Sequence, residues 1–214
     1  LGTPLPKPDV DSFEPDAGVD TSEPDIAEPD SGPDATPDIE PDSPPTPTCP
    51  NPPVAPIYLE LTWDTPGADL DLHLVHPFAS GLDIDGDGTD DGWFDSTFDC
   101  SWVNEHPTWI SGGPRFTESL DGSCPETIKW DNPSPNEGLT FKVGIHYWDD
   151  LDQGSATPTL RIYINQELRL EVDDVQLNEG DFFEVATIDW PSGTVTALSG
   201  DQVWPDTYPI QGVK

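Results

Sequence analysis

Nowhere in this sequence do apolar residues recur at i, i+3 and i+4 for long enough to define a helix, whereas short runs alternate with a period of two. Ile57, Leu59, Leu61 and Trp63 alternate with Tyr58, Glu60 and Thr62, and Leu70, Leu72 and Leu74 alternate with Asp69, Asp71 and His73. Successive side chains of a strand point to opposite faces, so the second run is expected to bury one face and wet the other. The same reading places strands at 127–130, 141–148, 182–190 and 194–198. Leu160, Ile162 and Ile164 face Leu168, Leu170 and Val172 across Asn165-Gln166, which predicts a hairpin with a tight turn. Turn formers such as Asp64-Thr65-Pro66-Gly67 and Pro191-Ser192-Gly193 separate the runs. Eight or so short strands joined in this way predict an all-β fold, an antiparallel β-sandwich.

The second strand runs straight into Asp83-Ile84-Asp85-Gly86-Asp87-Gly88-Thr89-Asp90-Asp91. Carboxylates at alternate positions converge on the inside of a turn, and Gly86 and Gly88 allow the sharp bend, which is the pattern of an oxygen-ligand calcium loop. Neighbouring aspartates about 6 Å apart repel by roughly 3 kcal/mol at an effective dielectric near 20, so a folded, converging loop calls for a cation. The expected ligands are Asp83, Asp85, Asp87, Thr89 through its carbonyl, and Asp91. Phe94 stands where an EF-hand places its bidentate Glu, and Asp95, one residue on, is the expected substitute. With no flanking helix, the loop is closer to those of dockerin or thrombospondin type 3 repeats than to an EF-hand.

Charge narrows the function classes. Seven Lys plus Arg against 43 Asp plus Glu give a formal net charge of −36, which leaves no surface to track phosphates and disfavours nucleic acid and anionic membranes. Residues 1–53 repeat a loose Pro-Asp unit with almost no large apolar residue beyond Phe13. Such a segment cannot bury enough surface to offset its ordering entropy, so it is expected to be a disordered, extended tether. A sandwich over 54–200 and a tail over 201–214 complete the expected organisation. No apolar run is long enough for a spanning helix, and the absence of Met marks the chain as an expected processed product or fragment. Three cysteines are too few for a disulfide scaffold and lack zinc spacing. In an oxidising compartment Cys100 with Cys124 is the expected pair, with Cys49 free or joined to another chain, although spacing does not fix the connectivity.

Five blocks in order, LTWDTPGADLDLHLVHP, DGWFDSTFDCSW, LDGSCPETI, FKVGIHYWDD and VATIDWPSGTV, resemble the bacterial YfaP/DUF2135 domain, in the form found on secreted or lipid-anchored proteins. The resemblance covers roughly 57–198. The DLDLH core also resembles the strand of bacterial pre-peptidase C-terminal domains, which implies a jelly-roll-like sandwich outside the cytoplasm and implies no enzymatic activity. Relatives carry an acid-rich run where this chain has Arg115-Phe116-Thr117-Glu118-Ser119, which weakens the case for a second cation site built from Asp69, Asp71, Asp121 and Glu126.

Other chemistries find less support. Carboxylates are so abundant that no pair is singled out for glycoside hydrolysis. His73 and His76 are three apart and fall on opposite faces of a strand, so with His146 they read as hydrogen-bonded histidines at a sheet rim, not as zinc ligands. No nucleophile elbow or phosphate loop occurs. Trp93, Trp102, Trp109 and Trp148 are the candidate stacking platform for a sugar. The sequence thus predicts a non-enzymatic, extracytoplasmic β-sandwich that binds calcium, the alternative being a module for a glycan or a cell-surface protein that uses the Trp-rich region.

Overall fold

The computed structural model describes residues 49, 51–109, 112–120, 122–134, 138–198, 202–205 and 207. Most of the expected tether and tail, and Asp121, lie outside these residues. Among the described residues there is no helix, and eleven strands form two antiparallel sheets. They are β1 (Ile57–Trp63), β2 (Asp69–Val75), β3 (Asp99–Cys100), β4 (Arg115–Thr117), β5 (Glu126–Trp130) and β6 (Leu139–Asp149), then β7 (Pro158–Ile164), β8 (Glu167–Val172), β9 (Phe182–Trp190), β10 (Thr194–Ala197) and β11 (Val203–Trp204). One sheet has the order β4-β5-β1-β7-β8, and the other β10-β9-β6-β2-β3, with β11 also pairing with β9. The sandwich read from the alternation is therefore the fold. It extends past the boundary expected at 200, because β11 pairs with Phe182 and Phe183.

The inward faces are the alternating residues. Ile57, Leu59 and Leu61 of β1 lie between Ile128 of β5 and Leu160, Ile162 and Ile164 of β7, and all are buried. Facing them, Leu70, Leu72 and Leu74 of β2 sit opposite Tyr147, Ile145 and Val143 of β6. Each such side chain contributes about 1.5–3 kcal/mol by leaving water. The β7–β8 hairpin turns at Asn165 (φ 49°) and Gln166 (φ 70°), the pair of left-handed residues that a two-residue turn needs to match strand twist.

One expectation fails in an informative way. β2 was expected to wet its polar face, yet all seven of its residues are buried. The chain after β2 folds back over that face, and Trp93, Phe182 and Val75 form a second apolar cluster there, with Phe94, Ile84 and Trp204 at its margin. His73 is therefore under a roof that its own polarity does not announce, and Asp69 and Asp71 are buried on the same face. Room for this roof depends on Gly144 of β6. A Cβ there would lie 2.7 Å from the Phe182 ring and 3.0 Å from that of Trp93. Gly144→Ala is expected to cost about 1–3 kcal/mol by overpacking. A thermal melt, with near-ultraviolet circular dichroism reporting the tryptophans, checks this, and an unchanged melt and spectrum would count against the roof.

The cysteine pairing is also corrected. The disulfide joins Cys49 to Cys124, with Cα atoms 5.3 Å apart, and Cys100 is a buried free thiol. Cys100 lies on β3 opposite Leu74, and its side chain is part of the sandwich core. Cys124 instead stands just before β5, where the chain ahead of β1 passes.

Candidate metal centre

Among the described residues two groups of carboxylates converge, and they differ in burial. The first is the expected loop. The bridge between Leu82 and Trp93 closes it, and Asp91 N donates to Leu82 O at 2.9 Å. Inside this closure the aspartates turn back on their own backbone. Asp83 accepts from Gly86 N (2.8 Å) and Gly88 N (2.9 Å), Asp85 from Asp87 N (2.9 Å), and Asp91 from Ile84 N (2.9 Å). Gly86 (φ 74°) and Gly88 (φ 90°) supply the left-handed turns. One oxygen each from Asp83, Asp85 and Asp91 falls within 4.8 Å of the others. Oxygens sharing a calcium ion at about 2.4 Å stand at most about 4.8 Å apart, so the spacing suits that ion. The Lys142 ammonium donates to the Asp91 carbonyl (2.9 Å), which ties the loop to β6.

Not every expected ligand joins this group. Asp87 is used to accept from Thr89 N at 2.7 Å and is not among the converging oxygens, and no contact places the exposed Thr89 at the centre. Asp95 is a correction. Its carboxylate accepts from Ser80 N (2.8 Å), Thr97 N (2.8 Å) and Phe98 N (3.0 Å), so it pins the turn that leads into β3 and is not among the converging oxygens. Burial alone would raise its pKa, but the three backbone donors outweigh burial and hold it below the ordinary 3.8. Because the folded value is depressed, this contribution is fully present above the ordinary value and is lost as pH falls through the folded one. Asp95→Asn is expected to lower stability by about 1–2 kcal/mol, equally with calcium and with chelator. Paired melts check this, and a penalty confined to the calcium sample would restore Asp95 as a ligand.

The second group is buried. β3 is only two residues long, so the edge of β2 ahead of Leu74 has no strand beside it. Glu126 fills that edge from β5, and its Oε1 accepts from Leu72 N at 2.5 Å. Beside it, one oxygen each from Asp69, Asp71 and Glu118 lies within 4.8 Å of the others. Asp71 and Glu126 are wholly buried, Asp69 is 7% exposed, and Glu118 is half-buried. Of the four residues of the second site that the sequence disfavours, Asp69 and Asp71 join a converging group and Glu126 bonds the strand next to Asp71. The member that sequence reasoning missed is Glu118, which lies in the stretch that departs from the resembling family. It sits in the short connection between β4 and β5, and no local sequence signal ties that connection to β2.

His73, His76 and His146 are buried and do not form a rim. His73 Nδ1 lies 2.7 Å from Asp99 Oδ2, which also accepts from Phe94 N at 2.7 Å. That bond holds Phe94 at a φ of 61°, a conformation that costs a bulky residue about 1–3 kcal/mol and here lays its ring 4.7 Å from that of His73. His146 Nε2 lies 2.6 Å from the Thr207 carbonyl, and its Nδ1 lies 3.9 Å from Asp71. His76 faces the opposite way, among Phe98, Trp109 and Phe141, as the spacing required.

The four tryptophans do not share a surface. Trp93 is 0% and Trp109 4% exposed, Trp93 bonding Glu184 (2.6 Å) and Trp109 bonding the Thr97 carbonyl (3.0 Å). Trp102 and Trp148 are half-buried and meet edge to face, with centroids 5.2 Å apart. The expected platform fails because large aromatic rings gain most by closing a core. No family model, no curated protein and no solved structure matches the chain, so the site is read from its own geometry.

Proposed function

We propose that this chain is a non-catalytic, extracytoplasmic β-sandwich module braced by calcium, of the YfaP/DUF2135 kind on the strength of its five sequence blocks. The observation that carries the reading is the buried convergence of Asp69, Asp71 and Glu118. Ionised carboxylates at that spacing repel by about 3 kcal/mol per pair at an effective dielectric near 20. A divalent cation between them turns each repulsion into a shared attraction. The solvent-facing Asp83, Asp85 and Asp91 form a second, more open group suited to the same ion.

Other features agree with the reading. The Cys49–Cys124 disulfide suits an oxidising compartment. Extracellular calcium modules work at dissociation constants of about 10⁻⁴ to 10⁻³ M, a range useful only where calcium is abundant. The Cys100 thiol is pushed well up by burial, and next by the Asp99 charge, which makes it a poor nucleophile. The His73–Asp99 pair is buried against Trp93 and Phe94.

Calorimetric titration of the chain with calcium chloride tests the proposal. Two classes of site are expected, Asp71→Asn removing one and Asp85→Ala the other, with Asp87→Ala leaving both in place. An absence of binding heat in the folded chain would reject the reading.

A further inference from the structure

We infer that the end of the sandwich at which β2 runs out toward β3, around Trp190, is a binding cleft for a neutral carbohydrate. There the last residue of β9, the entry to β1, the exit of β5 and the β7–β8 turn line a broad, open cleft of about 470 Å³, with Pro56, Asp131, Asn132, Ser134, Asn165 and Trp190 along it. That volume lies in the range of small-molecule sites.

The walls are held before any ligand arrives. Trp190 Nε1 donates to the Ser134 carbonyl at 2.9 Å, which fixes the plane of the ring. Trp190 also lines the small aromatic cavity beneath, with Trp109, Trp130 and Phe141, so the core backs the ring on that side. Asn165 N donates to the Pro56 carbonyl at 2.9 Å and sets the floor. The Asn132 and Asn165 side chains are exposed, and each amide offers a donor pair and an acceptor. A half-buried indole face beside two amides matches a sugar ring, which has an apolar C–H face and a rim of hydroxyls that both donate and accept.

Charge selects the class. Asp131, the one carboxylate among these walls, is paired with Lys129 Nζ at 2.9 Å, so the cleft offers no net charge to a cationic ligand. The overall charge of −36 turns away anionic glycans. A neutral saccharide remains. The inference is independent of calcium, since the walls include none of the converging carboxylates.

The test uses the full chain with nitrogen-15-labelled tryptophan, titrated separately with cellotetraose, maltotetraose, mannotetraose and the tetramer of N-acetylglucosamine. The Trp190 indole resonance is assigned with Trp190→Phe. At about 10 mM, ten times a millimolar dissociation constant, at least one sugar is expected to shift that resonance and leave Trp102 and Trp148 unmoved. Asn132→Ala combined with Asn165→Gly, where glycine keeps the left-handed turn, should weaken binding about tenfold or more by removing two hydrogen-bonding groups. No shift with any of the four sugars would overturn the inference. So would a shift confined to Trp102 and Trp148, or binding that the double variant leaves unchanged.

Discussion

Trp93→Ala is expected to destabilise the sandwich by about 3–5 kcal/mol, the usual cost of emptying a large aromatic site in a core. Trp93 is fully buried although it belongs to a long connection, and its ring lies 4.6 Å from that of Phe182. The Lys142 ammonium sits 5.6 Å from its ring centroid, and its Nε1 bonds Glu184 at 2.6 Å. The loss therefore has three parts: apolar burial, a charged hydrogen bond, and a cation–π contact worth about 0.5–2 kcal/mol. Trp93→Phe keeps most of the first and is expected to cost about half as much. Because Trp93 also makes the bridge that closes the aspartate loop, Trp93→Ala should weaken calcium at Asp83, Asp85 and Asp91 more than at Asp69, Asp71 and Glu118. Denaturant unfolding followed by calcium titration separates the two effects. A variant as stable as the parent would mean that the connection does not pack on β2.

Cys49→Ser is the second large effect. The disulfide spans 75 positions, and closing a loop of that length restricts the unfolded chain by about 4 kcal/mol. Reduction of the parent chain should produce the same loss. Cys100→Ala, by contrast, only deletes a small buried group opposite Leu74 and should cost about 1 kcal/mol. Peptide mapping without reductant is expected to find Cys49 joined to Cys124 and Cys100 as a thiol. Recovery of a Cys100–Cys124 peptide would reinstate the pairing expected from sequence and remove the staple ahead of β1.

The long strands were legible because their alternation is a direct consequence of the pleat: β1, β6 and β7 carry apolar residues at every second position over most of their length. The Asn165-Gln166 turn was legible for the same local reason. What escaped was set by distant partners. β3 and β4 are two and three residues long, too short to show a period. The covered face of β2 escaped because Asp69, Asp71 and His73 read as solvent-facing, whereas Trp93 and Phe94 return over His73 and Glu118 converges on Asp69 and Asp71. Within the site, the alternation of Asp83, Asp85 and Asp91 was visible, whereas the role of Asp95 was misread. Its position two residues ahead of Thr97 marks an aspartate that caps a turn, and that signal competes with metal-ligand spacing. Glu118 was invisible as a partner of Asp69 and Asp71 because nothing local links the β4–β5 connection to β2.

The claim on which the account rests is that the converging carboxylates fold around a divalent cation, and thermal melting in chelator against saturating calcium tests it most directly. A cation held at 100 times its dissociation constant adds about 2.7 kcal/mol per site, so the midpoint should rise in calcium, and by less in either Asp85→Ala or Asp71→Asn, which each keep one site. A midpoint identical in chelator and in calcium, with the parent chain fully folded in both, would contradict it.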